Sequence, residues 1–179
     1  MNRNSKMSKE KILAWHFLRE DGCIAYAHRF RKDGNGKTIK PKEGQVLKVS
    51  AEDLELCSFG LHASIELRDA LKYAPGPLVS RVELSGTIVK GADKLCASQR
   101  KVFWIADATK ILHEFACLCA EDALKVSGLN DERSIKAIEA KRKWLNGEIG
   151  DTELSAARSA AESAAGSAAG SARSAWSAA

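Results

Sequence analysis

Long apolar runs and paired cysteines are missing from this sequence. The 179-residue chain has no run of about 18 uncharged apolar residues, which excludes a transmembrane helix and a membrane partner. The apolar stretch after the basic N-terminus is interrupted by His16 and Arg19, which argues against a secretory signal. Its five cysteines are an odd number without the spacing of a disulfide framework, which favours reduced thiols. We therefore expect a cytoplasmic protein.

Motifs for phosphate loops and metal centres are also missing. Residues 34–36 (Gly-Asn-Gly) lack the preceding strand and the Lys-Ser or Lys-Thr pair of a phosphate-binding loop. His113 and Cys117 stand four residues apart on a predicted helix and could share a metal, but zinc needs about four ligands. Cys23 and Cys96 would have to be recruited from distant parts of the chain. We therefore predict no metal site and, apart from the nucleotide alternative below, no cofactor.

The residues that are present suit one compact domain with an appendage. The chain is 45% hydrophobic, which is enough to build a core and excludes whole-chain disorder. Residues 1–50 hold 12 Lys and Arg against 5 Asp and Glu, a net charge of +7. Residues 51–179 hold 16 against 18, a net charge of −2. The positive charge is therefore a property of the N-terminal part.

The densest positive charge lies in the basic segment, residues 29–48. Such a patch attracts phosphates or an acidic protein surface. Six of its residues are predicted to contact a partner: Arg29, Arg31, Lys32, Lys37, Lys40 and Lys42. Nucleic-acid binding is an alternative, but only Phe30 interleaves with these residues and base stacking needs aromatic rings. A solvated loop is the plainer interpretation, because residues 33–36 have turn chemistry.

The apolar pattern over residues 8–105 predicts an α+β domain with a small mixed or antiparallel sheet. Strands are predicted at residues 12–18, 23–30, 46–49 and 78–89. A capping box at residues 50–53 predicts one helical turn, and apolar spacing predicts a short helix over residues 65–73. The expected core residues are Trp15, Phe17, Leu61, Leu71, Val82 and Ile88.

Helices are predicted after the sheet domain. Residues 106–150 have the pattern of a helical pair, the second helix capped by Asn130 or Asp131. Residues 151–179 form an Ala/Ser-rich helical tail, with 12 Ala and 7 Ser among its last 25 residues. Alanine favours helix but buries little surface. We expect the tail to be helical where it docks on the preceding helices or on a second copy, which makes the C-terminal helices a candidate surface for homo-oligomerisation.

Several motifs resemble those of an uncharacterised domain family of bacteriophage and prophage proteins. The most specific is Cys-x-x-Gly-Leu-His-Ala-Ser at residues 57–64. Further matches are Ala-Trp-His-Phe-Leu at 14–18, Ala-Leu-Lys-Tyr-Ala-Pro-Gly at 70–76, Val-Glu-Leu-Ser-Gly at 82–86 and Arg-Lys-Val-Phe-Trp at 100–104, besides the Ala-rich tail. The resemblance covers most of the chain. It implies a phage-type origin and supplies no catalytic residues.

A second resemblance concerns the order of four residues, which is similar to that in ADP-ribosyltransferases. They are His16, His62, Ser64 and Tyr73. The resemblance implies that these residues are catalytic, that the first histidine holds the ribose of NAD, and that an aromatic ring stacks on nicotinamide. The sequence departs from the pattern, because His62 stands where Tyr is usual. Glu83 and Glu114 are the weak candidates for the catalytic carboxylate.

Two other interpretations of the histidines stay open. His16 and His62 can be half-buried residues that are hydrogen-bonded at a strand edge. His62 can also pair with Cys57, because a histidine beside a thiol lowers the thiol pKa and activates it. The two residues are five positions apart across a turn, so sequence proximity alone does not bring the side chains together.

We expect the protein to act by binding. The leading hypothesis is a phage-type accessory protein that binds a host protein or protein–nucleic-acid complex in the host cytoplasm and inhibits a defence system. One alternative is an ADP-ribosyltransferase-like or other nucleotide-using enzyme with a pocket around His16, His62 and Tyr73. The other is a nucleic-acid-binding module that uses residues 29–48. An open cleft joining the four candidate side chains favours the enzyme, and a packed core favours the binder.

Overall fold

The computed structural model describes residues 10–25, 38–128 and 131–163. Within these ranges an antiparallel sheet is followed by helices, which confirms the α+β prediction. Contacts along the chain are concentrated in two units, Met1–Thr109 and Lys110–Ala179. The sheet belongs to the first unit, and the long helices belong to the second.

Five strands form the sheet among the described residues of the first unit. They are β1 (Ile12–Leu18), β2 (Val46–Lys48), β3 (Leu61–Ala63), β4 (Leu78–Lys90) and β5 (Leu95–Asp107). The strand order is β1-β4-β5-β2, and β3 also pairs with β5. Each of these pairs is antiparallel. A short helix, α1 (Leu67–Leu71), follows β3 and precedes β4.

A backbone bridge outside the named strands connects β1 with the end of β3. The N–H of Trp15 donates to the carbonyl oxygen of Ser64 at 2.7 Å, and the N–H of Ser64 donates back at 3.0 Å. Because Ser64 directly follows β3, backbone pairing runs from β1 through β4, β5 and β3 back to β1. This closure places residues of β1 and β3 side by side.

The two longest strands, β4 and β5, differ in how well their sequences predict them. Burial alternates along much of β4, as expected for a strand with one face on the core. The sequence does not predict β5, because the polar residues Ser98 to Lys101 interrupt its apolar pattern. This strand pairs with β4 on one edge and with β2 and β3 on the other. Its extended conformation therefore depends on its neighbours in the sheet more than on its own sequence.

The core of the first unit consists of small and branched apolar residues from four strands. Its cluster contains Ala14, Ala63, Val82, Leu84, Leu95, Ala97 and Val102. Among the predicted core residues, Phe17, Leu61 and Val82 are buried. The remaining three, Trp15, Leu71 and Ile88, are partly exposed. Each fully buried Val or Leu contributes roughly 1.5–3 kcal/mol by leaving water.

The predicted strand at residues 23–30 is wrong in its described part, because residues 23–25 are irregular. A carboxylate oxygen of Asp21 accepts a hydrogen bond from the N–H of Cys23 at 2.9 Å, and Gly22 has a φ of 79°. This is turn chemistry, in which a short polar side chain captures a backbone N–H that a strand would use. Residues 26–30 lie outside the described residues.

The predicted helical turn after the capping box at residues 50–53 is also wrong. Residues 51–60 form turns and bends, and a backbone bridge joins Glu55 to Phe59. Cys57 within this segment has a φ of 68°, which a right-handed helix does not accommodate. The short helix predicted over residues 65–73 is confirmed in a shorter form as α1.

Two helices of the second unit confirm the predicted pair. They are α2 (Thr109–Ser127) and α3 (Glu132–Leu145). Asp131 caps α3, as predicted, and its carboxylate accepts from the N–H of Ser134 at 3.1 Å. Arg142 of α3 forms ion pairs with two α2 residues, Glu114 and Glu121.

The predicted helical tail is partly described. Residues 151–163 are helical, with Leu154 buried, and residues 164–179 lie outside the described residues. The indole N–H of Trp144 donates to a carboxylate oxygen of Asp151 at 2.7 Å. In the described part of the chain, no helix is both long and apolar enough to cross a membrane.

Candidate functional site

A cavity of about 560 Å³ opens in the first unit beside β1 and β3. All four residues predicted to be catalytic line it: His16, His62, Ser64 and Tyr73. They come from β1, from β3 and the residue after it, and from the turn after α1. The structure therefore shows the open cleft that the nucleotide-using alternative requires.

The bridge between β1 and β3 positions Ser64 and His16 in this cavity. Ser64 is buried and is held by two backbone hydrogen bonds to Trp15, the neighbour of His16. The carbonyl oxygen of His16 accepts from the hydroxyl of Ser80 in β4 at 2.8 Å. Both residues are therefore fixed by the sheet, and their positions do not depend on a flexible loop.

The His16 ring is partly exposed to the cavity, but protein surrounds it densely. Burial lowers its pKa well below the usual 6.5, and the charge of Arg100 and then of His62 lowers the pKa further. His16 therefore carries a neutral imidazole at pH 7. A neutral imidazole offers one hydrogen-bond donor and one acceptor to a ligand.

His62 is held by its ring and by its backbone. Its Nε2 accepts from the backbone N–H of Cys57 at 3.1 Å, and its carbonyl oxygen accepts from Nη1 of Arg100 at 2.7 Å. Cys57 and His62 are therefore in contact, as the thiol–imidazole hypothesis expects. In this hydrogen bond, however, the donor to the ring is the backbone N–H of Cys57 and not its thiol. This bond fixes the orientation of the ring. Because Nε2 is the acceptor, the ring carries its proton on Nδ1.

Arg100 is the principal site residue that sequence reasoning missed. It lies in β5, lines the cavity, and is 1% exposed. Its Nε and Nη2 have no hydrogen-bond partner among the described residues. Burial lowers its pKa to about 10, so the guanidinium is still charged at pH 7. Its neighbours Ser98, Gln99 and Lys101 are polar, so no apolar pattern marked Arg100 as a buried residue, and the strand itself was not predicted.

The charges around the cavity are positive. Besides the histidines, Lys72, Lys94 and Arg100 line it, and no Asp or Glu belongs to the described residues that do. Lys72 has carboxylate partners outside the lining, with Asp69 at 2.9 Å and Asp93 at 3.8 Å. The uncompensated positive charge therefore comes mainly from Arg100 and Lys94.

Tyr73 and Cys57 both contact Lys94 at the cavity. Nζ of Lys94 lies 4.1 Å from the centroid of the Tyr73 ring, and the Tyr73 hydroxyl donates to Asp93 at 2.8 Å. A hydrogen bond with the Cys57 side chain raises the pKa of Lys94. Cys57 is exposed and has the left-handed conformation noted above. Tyr73 thus presents its ring to the cavity beside a cation.

The two candidate carboxylates of an ADP-ribosyltransferase do not lie at this cavity. Glu83 is in β4 and pairs with Lys11 at 3.0 Å. Glu114 is in α2 of the second unit and pairs with Arg142 at 3.1 Å. Neither residue lines the cavity. The cavity therefore brings together the predicted histidines, serine and tyrosine, and neither candidate glutamate joins them.

The other candidate sites fall elsewhere. In the basic segment Lys40 and Lys42 are exposed, whereas Arg29, Arg31, Lys32 and Lys37 lie outside the described residues. The His113 ring packs edge-on against Trp144, with centroids 5.8 Å apart. Over the ranges that the structure describes, no three His, Cys, Asp or Glu side chains are grouped as metal ligands.

No family model, curated protein or solved structure matches the chain. The resemblances to the phage domain family and to ADP-ribosyltransferases therefore stay predictions.

Proposed function

We propose that the protein binds a small nucleotide-type ligand in the cavity beside β1, β3 and β5. One observation carries this proposal. His16, His62, Ser64 and Tyr73 line a single open cavity whose described lining residues carry positive charge and include no carboxylate. A volume of about 560 Å³ falls within the range of about 300–1,000 Å³ that is typical of small-molecule sites.

The lining offers a contact for each part of a nucleotide. The ring of Tyr73, an exposed residue that lines the cavity, gives an apolar face for a base. The neutral His16 and the Ser64 hydroxyl suit the hydroxyl groups of a ribose. The positive charges suit phosphate. This combination of an apolar lining with a few convergent polar groups is typical of cofactor and nucleotide sites.

Binding is the part of the nucleotide hypothesis that the cavity supports best. Transfer of ADP-ribose needs a carboxylate near the reacting sugar, and both candidate glutamates lie away from the cavity. NAD remains one of the ligands to be tested, together with the adenine mononucleotides.

The test is the thermal shift of the full chain with AMP, ADP, ATP and NAD. At a ligand concentration 100 times Kd, binding stabilises the folded state by about 2.7 kcal/mol, which raises Tm by several degrees. Tyr73→Ala should reduce the shift, whereas Phe103→Ala should leave it unchanged, because Phe103 is exposed and does not line the cavity. Absence of any shift with all four nucleotides at millimolar concentration would contradict the proposal.

We also propose, from the charge of the first 50 residues, that the basic segment binds an acidic surface of a host macromolecule. The exposed positions of Lys40 and Lys42 support this proposal. Lys40→Glu with Lys42→Glu should weaken salt-sensitive capture from a bacterial lysate. Lys110→Glu with Lys125→Glu makes the same charge change on exposed residues of the second unit and serves as the control. Equal capture by both double variants would remove the basic segment from the interface.

A further inference from the structure

We propose that Arg100 binds a phosphoryl group through the edge formed by its Nε and Nη2. The inference deepens the nucleotide proposal, on which it rests for the identity of the whole ligand. It assigns a role to a residue outside the four that the sequence predicts to be catalytic.

The guanidinium of Arg100 is held in one orientation by a single hydrogen bond. Nη1, the nitrogen on the Cδ side of the group, donates to the carbonyl oxygen of His62 at 2.7 Å. The remaining Nε and Nη2 share the opposite edge, and neither has a partner among the described residues. Two parallel N–H groups on one edge of an arginine match two oxygens of a phosphoryl or carboxyl group.

Burial makes this edge unusual. Arg100 is 1% exposed, so water does not cover its charge as it covers surface arginines. Buried charges in proteins are normally paired with an opposite charge, and no Asp or Glu lines the cavity in the part of the chain that is described. Arg81 also has one buried nitrogen without a partner, but its guanidinium lies 4.4 Å from the Trp15 ring centroid, which supplies a cation–π contact.

The charge around the site favours a phosphoryl group over a carboxylate. Arg100 and Lys94 both line the cavity, and no carboxylate is among its described lining residues. A phosphate monoester carries up to two negative charges against one for a carboxylate. A tetrahedral phosphoryl group also offers a third oxygen to a further donor, and a planar carboxylate has no third oxygen. The same group is found in inorganic phosphate and in nucleotides, so the experiment has to separate these sources.

The experiment measures binding of inorganic phosphate, AMP, adenosine and acetate to the full chain by isothermal titration calorimetry. We expect AMP to bind at least tenfold more tightly than adenosine, and phosphate to bind more tightly than acetate. Arg100→Gln and Arg100→Lys should each weaken AMP binding at least tenfold and leave adenosine binding unchanged. Arg68→Gln, which changes an exposed arginine of the same unit, should bind all four compounds like the wild type.

The outcomes separate this inference from the nucleotide proposal. If AMP binds equally well to the wild type and to both Arg100 variants, the inference is overturned and the nucleotide proposal stands. If phosphate binding depends on Arg100 but AMP binds no more tightly than phosphate, the inference stands and the nucleotide proposal falls. Binding of acetate as tight as that of phosphate overturns the choice of a phosphoryl group. Arg100→Lys keeps the positive charge, so it provides the comparison if Arg100→Gln fails to fold.

Discussion

At the scale of single residues, Arg100 carries a cost that no described carboxylate at the cavity offsets. Burial lowers its pKa to about 10, and this shift corresponds to about 3 kcal/mol of destabilisation of the charged form. The hydrogen bond to His62 recovers about 1 kcal/mol of this cost. A buried group that lowers stability in the ligand-free protein is typical of a binding site, where function is kept at the expense of stability.

Replacing Arg100 by methionine should therefore stabilise the ligand-free protein. Methionine has a similar length and no charge to desolvate, so we expect Arg100→Met to raise the free energy of unfolding by about 2 kcal/mol. Urea unfolding at pH 7.5 measures the change. A loss of stability of similar size would show that Arg100 is needed mainly to hold His62 and would weaken its assignment to ligand binding.

The lowered pKa of His16 predicts a pH dependence of stability. In the unfolded chain His16 titrates near 6.5, whereas in the folded protein its pKa lies well below that value. As the pH falls below 6.5, the unfolded state takes up a proton that the folded state does not, so the free energy of unfolding decreases. His16→Gln should show a smaller decrease between pH 7.5 and pH 5.5. An NMR titration should find the His16 imidazole still neutral at pH 6, and a midpoint at or above 6.5 would contradict the lowered pKa.

At the scale of secondary-structure elements, the turn before β3 determines where His62 and Ser64 lie. Gly60 has a φ of +132°, and a Cβ atom there would stand 2.0 Å from Sγ of Cys96 and 2.8 Å from Leu54. The glycine therefore allows the turn to approach β5 closely. Its left-handed conformation and the lack of space act together at this one position.

Gly60→Ala should lower the free energy of unfolding by about 2–5 kcal/mol, as the sum of backbone strain and overpacking. Gly44→Ala is the matched control, because Gly44 has a φ of +78° in the same unit and no atom within 4 Å of an added Cβ. The control should lose only the strain, about 1–2 kcal/mol. Chemical denaturation compares the two, and equal losses would show that Gly60 is needed for its conformation alone.

Much of the element order was predictable, and the failures have physical reasons. The strand β4 and the helices α2 and α3 carry periodic apolar patterns, and β1 is a short apolar run that ends at polar residues. By contrast, β5 is stabilised by the strands paired with it on both edges. These pairings join residues that are distant in the sequence, so the local apolar pattern does not predict them. Because β5 was missed, its cavity residue Arg100 was missed with it. The resemblance to ADP-ribosyltransferases predicted that His16, His62, Ser64 and Tyr73 lie at one site. The apolar periodicity of the sequence alone does not predict this.

At the scale of the whole molecule, every described residue that lines the cavity belongs to the first unit. These lining residues fall between residues 15 and 100, and the core cluster beside them comes from β1, β3, β4 and β5. The Ala/Ser-rich tail contributes no residue to this core among those described. Folding of the first unit and ligand binding should therefore not depend on the tail.

Deleting residues 155–179 tests this independence and keeps Leu154, the buried residue of the last described helical stretch. We expect the truncated protein to keep the cooperative thermal transition of the first unit and the AMP-induced shift of Tm. Sizing chromatography should show weaker self-association if the tail provides a helix–helix contact. Circular dichroism that shows loss of the whole transition would make the tail part of the fold and contradict the prediction.

The central claim is that the buried edge of Arg100 meets the ligand, and the most direct measurement is the NMR signal of its Nε–H group. In ¹⁵N-labelled protein this signal is assigned by its absence in Arg100→Lys. During titration with AMP, the chemical shift of this signal should change and then saturate, and the curve should give the same Kd as calorimetry. Titration with adenosine should leave the chemical shift unchanged. An Arg100 signal that does not move when AMP binding is saturated would contradict the account.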